Sequence, residues 1–327
     1  MKGIILSGGI GTRLLPLTKE MPKPLLRVAG RPVLDCVLDK LAPLDIEELI
    51  FITGHLKEAI EDYVRSSYDV PARFVEQRVQ DGTAGAVHLA RPYVDGEVMI
   101  VFVDTVFDAD LSLVQRADAD GIIWAKQVED YQRFGVVVTD ASGYMQRIVE
   151  KPARPISKLA NIGLYYIRDW QTLFDGIAET LAGPQMKGEW FLTDAFQYMI
   201  DNGKRLYTAE VEGWYDCGKV ETLLETNAHL LTAGRARASV GGTGVTVVDP
   251  VYVADGVHLE NCTIGPNVSI DGDTVVRSST LRHAIVGKSC RIEGSRVEHS
   301  LLGDGVSVSD CSYDWMVATS DELGKAP

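Results

Sequence analysis

Three glycines near the N-terminus form a loop of the kind that binds phosphate. Gly8, Gly9 and Gly11 directly follow a short apolar segment, and the basic residues Arg13 and Lys23 come soon after them. Glycines allow backbone N–H groups to approach a phosphate closely. Arginine adds a planar fork of donors, and lysine adds a compact positive charge. The spacing therefore predicts that this loop holds a small phosphorylated ligand.

Two common phosphate-binding loops do not fit this segment. A Walker loop ends in Gly-Lys-Ser or Gly-Lys-Thr, whereas Gly11 is followed here by Thr12 and Arg13. A dinucleotide-binding fingerprint needs a third glycine where this chain has Leu14. The glycines alone therefore leave the reaction open.

One carboxylate stands at a position suited to a metal ion. Asp104 follows the most apolar predicted strand of the chain, residues 98–103. Parallel sheets bind their ligands at the carboxyl ends of the strands. Mg²⁺ is typically held by one or two carboxylates together with substrate phosphates. Asp104 is therefore a candidate magnesium ligand, and the alternative is that it only caps the end of its strand.

Charge and composition narrow the class of protein. The net charge is −14, yet residues 1–31 contain six Lys or Arg and a single acidic residue. A basic patch in an acidic chain favours a small anionic ligand over a nucleic acid. Five scattered cysteines without a Cys-x-x-Cys pair indicate neither a disulfide scaffold nor a zinc site. No apolar run approaches ~18–20 residues, and the apolar N-terminal segment is too short for a signal peptide. We therefore expect a cytoplasmic protein that binds neither membrane nor nucleic acid.

The elements that must position these residues alternate between strand and helix. The pattern predicts strands at residues 3–6, 49–53, 73–77 and 98–103, with helices after Pro32 and at 57–64 and 84–90. This rhythm is typical of a mostly parallel sheet covered by helices. Further along, it predicts a hairpin of strands 135–139 and 144–149, a strand at 160–167, and helices at 170–178, 192–202 and 220–231.

A different pattern begins after residue 245. Residues 232–245 are rich in glycine and small residues, which predicts a linker. Beyond them, aliphatic residues recur every six positions, as from Ile264 to Ile270 and from Val286 to Ile292. Such spacing is typical of a parallel β-helix, in which each short strand points one aliphatic side chain inward. An ordinary β-sandwich is the alternative.

The stretch Leu6–Leu26 resembles the opening signature of the sugar-1-phosphate nucleotidyltransferases. The resemblance is closest to the long form of glucose-1-phosphate thymidylyltransferase. It covers residues 1–232, with later matches at 77–83, 150–152, 188–194 and 213–218. It implies an α/β fold, in which a catalytic domain of residues 1–232 has a mostly parallel, Rossmann-like sheet. A short left-handed parallel β-helix of residues 246–311 and a C-terminal tail of residues 312–327 would follow.

The activity that this resemblance implies is magnesium-dependent nucleotidyl transfer. A nucleotidyl group would pass from dTTP or UTP to glucose 1-phosphate, giving dTDP-glucose or UDP-glucose and pyrophosphate. Such chemistry needs positioning and charge neutralisation more than a covalent nucleophile. Two alternatives stay open: another sugar 1-phosphate, such as N-acetylglucosamine 1-phosphate, and a weakly active regulatory homologue that binds nucleotide-sugar.

The resemblance also implies a role for each site residue. The catalytic cations would be Arg13 and Lys23 on the triphosphate, and Lys151 on the sugar phosphate. The magnesium ligands would be Asp104 and Asp216. The nucleotide would be bound by Leu6, Ser7, Gly8, Gly9, Gly11, Thr12, Gln77, Asp81 and Gly82. The sugar would be bound by Thr105, Gly135, Glu150, Asn161 and Trp214.

Three residues depart from the family's pattern. Val103 replaces the usual glycine before Asp104, and Thr105 replaces the usual polar amide or small residue after it. Cys217 stands where the family usually has threonine. A valine at position 103 is large enough to crowd the sugar or the metal, which bears on sugar identity and on activity.

We expect the C-terminal repeat to be structural and to contain no second active site, such as one for acyl transfer. Inward aliphatic residues fill a narrow prism and leave no obvious cleft. A short solenoid also has end coils that need a cap or a neighbour, because exposed apolar surface favours association. The sequence therefore predicts a homo-oligomer.

Overall fold

The chain divides into two compact units that do not follow its order from N- to C-terminus. The computed structural model describes residues 1–237 and 242–323. The first unit consists of Met1–Gly9 and Val37–Trp214. The second unit consists of Ile10–Cys36 and the described residues from Tyr215 onward. The predicted phosphate-binding loop is therefore divided: Gly8 and Gly9 belong to the first unit, and Gly11 belongs to the same unit as the C-terminal repeat.

Helices and strands alternate up to residue 235, and short strands dominate after that. The helices are α1 (Val33–Leu41), α2 (Lys57–Ser67), α3 (Thr83–His88), α4 (Leu113–Arg116), α5 (Trp170–Ala182), α6 (Leu192–Asp201), α7 (Val220–Leu230) and α8 (Ser320–Leu323). Shorter helical turns are Thr12–Leu14, Leu17–Lys19, Lys23–Leu25, Arg91–Tyr93, Tyr131–Arg133 and Leu231–Arg235. The strands before residue 220 are β1 (Lys2–Leu6), β2 (Arg27–Val28), β3 (Arg31–Pro32), β4 (Glu48–Thr53), β5 (Ala72–Glu76), β6 (Val98–Phe102), β7 (Thr105–Asp108), β8 (Gly121–Gln127), β9 (Gly135–Thr139), β10 (Met145–Glu150), β11 (Leu159–Ile167), β12 (Leu206–Glu210) and β13 (Gly213–Asp216). The later strands are β14 (Thr246–Val247), β15 (Val251–Val253), β16 (His258–Glu260), β17 (Thr263–Ile264), β18 (Val268–Ile270), β19 (Val275–Arg277), β20 (Thr280–Arg282), β21 (Ile285–Val286), β22 (Arg291–Glu293), β23 (Arg296–Glu298), β24 (Leu301–Leu302), β25 (Ser307–Ser309), β26 (Ser312–Asp314) and β27 (Val317–Ala318).

The first unit is built on one mixed sheet of nine strands. β6, β1, β4 and β5 are neighbours and run parallel, so that Ile4 lies opposite both Ile50 and Ile100. β11 runs antiparallel to β6, β8 and β9. The central strands are fully buried apolar runs because helices cover them, and Phe196 of α6 belongs to the same core as Ile4. The predicted Rossmann-like α/β fold is confirmed.

Two strands of this sheet escaped prediction. β8 pairs with β11, and β12 pairs with β8 in parallel, so that Thr208 lies opposite Ile123. The sequence of β8 begins with Gly121 and then runs apolar without alternation, while β12 is short and partly polar. Neither pattern has the period of two that marks a half-buried strand.

The C-terminal strands form a solenoid of three parallel sheets. Thr263 pairs with Thr280, which pairs with Arg296, so each coil advances by 16 or 17 residues. Inward aliphatic side chains such as Leu281 and Ile292 are fully buried. This arrangement confirms the predicted parallel β-helix, and the β-sandwich alternative is wrong.

The ends of the solenoid differ from the sequence-based boundaries. The last coil includes Val317–Ala318, which pairs with Leu301–Leu302, so the coils continue beyond the predicted end at residue 311. Residues 238–241 of the predicted linker and 324–327 of the predicted tail lie outside the described residues. Within residues 1–237 and 242–323, no helix is both long and apolar enough to cross a membrane.

Candidate active site

The end of β1 is embedded between two parallel neighbours. Leu6, its last residue, lies opposite Ile52 of β4 and Phe102 of β6. Ser7 is buried, and both its N–H and its Oγ donate to Ile52 O, at 2.9 and 3.0 Å. The hydroxyl of Ser7 is thus used within the protein, and a ligand is left with backbone groups at this edge of the sheet.

The two glycines that follow have different surroundings. A Cβ at Gly8 would lie 3.1 Å from the carbonyl carbon and oxygen of Thr53. Gly8 O accepts a hydrogen bond from Gln80 Nε2 at 3.3 Å. A Cβ at Gly9 would have no described atom within 4 Å. Gly8 is therefore required by packing against β4, whereas Gly9 leaves an exposed stretch of backbone.

The loop after β5 is held together by a buried glutamine. Gln77 Nε2 donates to Asp81 Oδ1 at 2.8 Å and to Gly82 O at 3.1 Å. Gly82 has a φ of 111°, and a Cβ there would lie 2.3 Å from Trp190 O, so only glycine fits. The structure thus brings the predicted nucleotide-binding residues Gln77, Asp81 and Gly82 into one loop before α3.

Three side chains converge on the backbone of Gly135. A Cβ at Gly135 would lie 2.2 Å from Asn161 Nδ2, 2.6 Å from Thr193 Cγ2 and 2.9 Å from Glu150 Oε2. Asn161 Nδ2 donates to Gly135 O at 2.9 Å, and Thr193 Oγ1 donates to Glu150 Oε2 at 3.2 Å. We call Gly135, Glu150, Asn161 and Thr193 the Glu150 cluster. It contains three of the residues predicted to bind sugar.

The carboxylate of this cluster is largely removed from water. The Glu150 side chain is 12% exposed, and burial raises its pKa, while Lys151 at 3.6 Å opposes that shift. Burial also raises the pKa of the neighbouring Asp194. Lys151 Nζ lies 4.3 Å from the ring centre of Phe191, within cation–π range. A desolvated carboxylate is a strong acceptor for neutral donors such as hydroxyl groups.

A tyrosine fixes the orientation of Asn161. The Tyr165 hydroxyl donates a short hydrogen bond to Asn161 Oδ1. Burial raises the pKa of Tyr165 far above its usual range, and the carboxylates of Glu150 and Asp104 add to that effect. Tyr165 therefore stays neutral and remains a donor at any ordinary pH.

Asp104 follows β6 as predicted. Two of the three residues that depart from the family's pattern, Val103 and Thr105, flank it in the chain. Thr105 is buried, and its Oγ1 donates to Asp104 Oδ1 at 3.3 Å. Val103 is 2% exposed, and its N–H donates to Leu6 O at 3.3 Å. The side chain of Val103 is therefore packed in the protein interior, and its effect on the sugar or the metal stays a prediction. Thr105 thus contacts Asp104, and its predicted contact with sugar stays a prediction.

Trp214 lies in an aromatic contact within the first unit. Its ring meets that of Phe134 edge to face, with centres 5.0 Å apart. Its Nε1 is buried and has no hydrogen-bond partner among the described residues. A buried donor of this kind favours an acceptor from a ligand.

In the second unit, two cations and a carboxylate converge on one glycine. A Cβ at Gly218 would lie 2.7 Å from Asp216 Oδ1, 2.9 Å from Arg13 Nη2 and 3.2 Å from Lys23 Nζ. Asp216 Oδ1 also accepts from Gly218 N at 2.8 Å. We call Arg13, Lys23, Asp216 and Gly218 the Gly218 cluster. It unites residues that are almost two hundred positions apart in the sequence.

The loop before this cluster depends on Gly11. Gly11 has a φ of 70°, and its carbonyl oxygen accepts from Thr18 Oγ1 at 3.0 Å and from Leu14 N at 2.9 Å. Thr12 and Arg13, which follow it, are exposed. The turn thus presents Thr12 and Arg13 to solvent while Thr18 anchors it inside.

Cys217, the third departure, belongs to the protein interior. It is fully buried, and its Sγ lies 3.7 Å from Thr226 Oγ1 and 3.8 Å from Tyr215 O. The thiol takes the position of a small hydrogen-bonding side chain, so the change from threonine leaves the turn around Asp216 supported.

The predicted metal ligands are distributed over both units. Asp104 belongs to the first unit and Asp216 to the second. Over residues 1–237 and 242–323, no group of three or more His, Cys, Asp and Glu residues is arranged to hold a metal ion. Two carboxylates are nevertheless enough for Mg²⁺ when substrate phosphates complete its coordination.

Sequence reasoning missed one residue of each cluster and the tyrosine that orients Asn161. Thr193 lies within the matched segment 188–194, and Gly218 ends the matched segment 213–218, so the motifs carried a signal for both. Tyr165 lies in a fully buried apolar strand, where nothing in the pattern separates a core tyrosine from one that orients a ligand-binding amide.

Comparison with known proteins adds independent information. The family model described as nucleotidyl transferase matches residues 2–233. The bifunctional protein GlmU of Methanococcus aeolicus is 31% identical over 345 residues, which covers 98% of this chain and 80% of that protein. The glucose-1-phosphate thymidylyltransferase of Streptomyces antibioticus is 31% identical over 319 residues, which covers 92% of this chain and 87% of that protein.

Two further similarities concern uridine nucleotides. The UTP–glucose-1-phosphate uridylyltransferase AglF of Haloferax volcanii is 32% identical over 221 residues, covering 65% of this chain and 89% of that protein. A crystal structure of UDP-glucose pyrophosphorylase complexed with UDP-glucose aligns with a TM-score of 0.62 at 24% identity. It covers 71% of this chain and 98% of the other, and at this identity the likeness concerns the fold.

Proposed function

We propose a specific reaction for this chain, which belongs to the nucleotidyl transferase family and is a sugar-1-phosphate nucleotidyltransferase. It transfers a nucleotidyl group from dTTP or UTP to glucose 1-phosphate, giving dTDP-glucose or UDP-glucose. An oxygen of the sugar phosphate attacks the α-phosphorus of the triphosphate. The bond from that phosphorus to the bridging oxygen breaks, and pyrophosphate leaves. Relatives named for thymidylyl and uridylyl transfer to glucose 1-phosphate support both triphosphates as candidates.

The observation that carries this proposal is the Gly218 cluster. Its two cations, Arg13 and Lys23, are suited to the negative charge of a triphosphate and to the greater charge that pyrophosphate acquires as it leaves. The guanidinium and the ammonium approach the same glycine, whose missing side chain leaves room between them. We assign the β- and γ-phosphates to Arg13 and Lys23.

The Glu150 cluster supports the sugar half of the proposal. Glu150 offers a desolvated carboxylate and Asn161 an oriented amide, which are groups that recognise sugar hydroxyls. Lys151 supplies a positive charge next to them for the sugar phosphate. Gly135 has no side chain, and any larger residue would collide with Asn161. The nucleoside is assigned to the backbone of Leu6–Gly9 and the loop of Gln77, Asp81 and Gly82.

The donor set fits magnesium. Asp104 and Asp216 offer carboxylate oxygens, the hard ligands that Mg²⁺ prefers, and we propose them as its two protein ligands. When bound, Mg²⁺ neutralises phosphate charge during transfer. Thr105 orients the Asp104 carboxylate, and the Gly218 N–H orients that of Asp216.

The three departures support an active enzyme over a weakly active regulatory homologue. Val103 is buried in the interior, Thr105 donates to Asp104, and Cys217 contacts Thr226. Each substituted residue is accommodated by packing or hydrogen bonding. The residues assigned to the phosphates and the metal, Arg13, Lys23, Asp104, Lys151 and Asp216, are all present.

The test is pyrophosphate release over a matrix of substrates with Mg²⁺. The matrix crosses dTTP, UTP, ATP, CTP and GTP with glucose 1-phosphate, N-acetylglucosamine 1-phosphate and mannose 1-phosphate. We expect the largest kcat/KM for glucose 1-phosphate with dTTP or UTP. A larger kcat/KM with N-acetylglucosamine 1-phosphate would replace the proposed sugar. Release from no pair, by a folded protein, would contradict the reaction and favour the regulatory alternative.

We further propose that the solenoid serves structure and self-association, and that catalysis is confined to residues 1–232. Trp315 in the last coil is 52% exposed, and a large exposed ring favours contact with a neighbour. We expect sedimentation velocity to show a homo-oligomer at micromolar concentration. A monomer at every concentration tested would contradict self-association.

A further inference from the structure

Asn227 is a fully buried amide that connects three segments of the second unit. It lies in α7 and is 0% exposed. Its Oδ1 accepts from Ala29 N at 2.8 Å and from Ser269 Oγ at 2.6 Å, and its Nδ2 donates to Asn267 O at 3.2 Å. Buried polar groups are costly to leave unpaired, so this side chain holds its partners firmly. A single amide thus ties α7 to the N-terminal segment and to the solenoid.

Through α7, this amide reaches the turn that carries Asp216. Thr226, the residue before Asn227, is fully buried and contacts the Cys217 thiol at 3.7 Å. Cys217 is adjacent to Asp216 in the chain and is fully buried as well. The position of α7 therefore sets the position of the carboxylate.

Through Ala29, the same amide reaches the segment that carries Lys23. Ala29 and Gly30 form the turn of the hairpin β2–β3, with φ values of 47° and 79°. The helical turn Lys23–Leu25 comes directly before this hairpin. Fixing Ala29 therefore restricts where Lys23 can lie.

Two further contacts bind the hairpin to the solenoid. Arg27 Nε lies 2.7 Å from Asp271 Oδ2, an ionic contact in which the N–H is not aligned as a hydrogen bond. A Cβ at Gly30 would lie 2.2 Å from the ring of Tyr252, so the turn packs directly on that ring. The hairpin is thus held from the solenoid side as well as by α7.

We propose that Asn227 is a positioning residue for the Gly218 cluster, and that the solenoid is the support against which it holds Lys23 and Asp216. The inference rests on the proposed function for the identity of the substrate. It gives the C-terminal repeat a role in triphosphate binding, although neither the Gly218 cluster nor the Glu150 cluster contains a residue of the solenoid. The residues of the Glu150 cluster belong to the other unit and have no part in this network.

The first test compares Michaelis constants for the two substrates. Asn227→Ala leaves Ala29 N and Ser269 Oγ without their acceptor, and Ser269→Ala removes one donor from the solenoid side. We expect the KM for the triphosphate to rise about 5- to 20-fold for Asn227→Ala and about 3-fold for Ser269→Ala, the range that a lost buried hydrogen bond produces. The KM for sugar 1-phosphate should change by less than about 2-fold. Ser269→Thr retains a hydroxyl and should restore triphosphate binding.

The matched control is Asn202→Ala in the first unit. Asn202 Nδ2 also donates to a backbone carbonyl, that of Tyr198, at 2.9 Å. We expect this variant to leave both Michaelis constants unchanged. If the Asn227 variant does not fold, Ser269→Ala carries the test alone. Equal increases in both Michaelis constants, or none in a folded variant, would overturn the positioning role.

The second test does not depend on the reaction. Hydrogen–deuterium exchange of the Asn227 and Ser269 variants without substrate should accelerate in residues 11–30 and 215–219, and stay unchanged in α2, Lys57–Ser67. Unchanged exchange in residues 11–30 would overturn the inference even if the enzyme is active. Absence of pyrophosphate release by the wild-type protein would instead contradict the proposed function, and accelerated exchange would still support the network.

Discussion

In the Glu150 cluster a carboxylate is buried among neutral hydrogen-bond donors, whereas in the Gly218 cluster a carboxylate stands beside two cations. Burial raises the pKa of Glu150 despite the nearby Lys151. Both clusters centre on a glycine, and three side chains approach the space that its Cβ would fill. In the proposed function, the same arrangement around a glycine therefore serves two kinds of recognition, one of hydroxyl groups and one of phosphate charge.

The two glycines differ in the kind of side chain that surrounds them. At Gly135 the nearest atom belongs to Asn161, whose amide is fixed by Tyr165 and by Gly135 itself. At Gly218 the nearest atoms are the ends of long or charged side chains. A fixed amide suits the neutral hydroxyl groups of a sugar, which need exact placement. A cluster of charged groups suits phosphates, whose charge changes during the reaction.

The largest effect should come from neutralising either carboxylate assigned to magnesium. Asp104→Asn and Asp216→Asn retain size but remove the charge, so we expect kcat to fall about 10²- to 10⁴-fold, as the loss of several kcal/mol of charge stabilisation implies. Steady-state pyrophosphate release at saturating Mg²⁺ measures this. Asp118→Asn, at a side chain 91% exposed, is the control and should be unaffected. Near-normal turnover in either variant would remove that residue from the metal site.

Adding one methyl group to each central glycine should separate the two clusters. Gly218→Ala would displace only the charged ends of side chains, so we expect kcat/KM for the triphosphate to fall about 10- to 10²-fold with little change in Tm. Gly135→Ala collides with the fixed Asn161 amide, and overpacking of ~1–3 kcal/mol should lower Tm by roughly 2–10 °C. Calorimetry and steady-state kinetics on the same preparations provide both numbers.

Gly96→Ala is the control for these two variants, because a Cβ at Gly96 would have no described atom within 4 Å. It should change neither Tm nor kinetics appreciably. If Gly218→Ala lowers Tm as much as Gly135→Ala does, the Gly218 cluster tolerates an added methyl group no better than the Glu150 cluster. The two clusters would then not differ in packing.

The cations should divide between the substrates. Lys151→Ala removes a charge beside the Glu150 cluster, so we expect KM for sugar 1-phosphate to rise about 10-fold. Arg13→Ala removes a charge from the Gly218 cluster and should raise KM for the triphosphate by a similar factor. Initial rates with each substrate varied in turn decide the matter. Equal effects of both variants on both substrates would abolish the division.

The sequence was sufficient for most of the fold, because long periodic segments predict their own structure. The parallel strands β1, β4, β5 and β6 and the aliphatic repeat of the solenoid follow directly from spacing. β8 and β12 were missed because their patterns lack alternation. The solenoid was placed too short because the strand Ser312–Asp314 carries no aliphatic residue.

The candidate site was predictable residue by residue but not as two clusters. Motifs marked Arg13, Lys23 and Asp216 separately, yet nothing local shows that they meet at Gly218. Asn227 was invisible to sequence reasoning, since an asparagine in the last turns of a helix usually faces solvent. Its importance arises from three partners at distant positions, and such contacts appear only once the chain is folded.

The smallest effect concerns pH and distinguishes the two carboxylate environments. Glu150 accepts most strongly from sugar hydroxyls when it is ionised, and burial raises its pKa above the usual range for glutamate. We therefore expect kcat/KM for sugar 1-phosphate to rise with pH through that raised pKa and to level off above it. Substrate phosphate also ionises near pH ~6, so wild type alone would be ambiguous. Glu150→Gln keeps the shape but cannot ionise, and any limb that survives in it belongs to the substrate. The wild-type profile should contain one additional acid limb, with kcat/KM a few-fold lower at its acid end.

The stability of the protein should change with pH in the opposite direction. The folded protein binds the Glu150 proton more tightly than the unfolded chain does, so ionisation opposes folding as pH rises. The Tm difference between Glu150→Gln and wild type should therefore grow with pH, while Glu129→Gln, at a side chain 88% exposed, shows none. Superimposable pH profiles for wild type and Glu150→Gln would show that Glu150 does not act as an ionised acceptor.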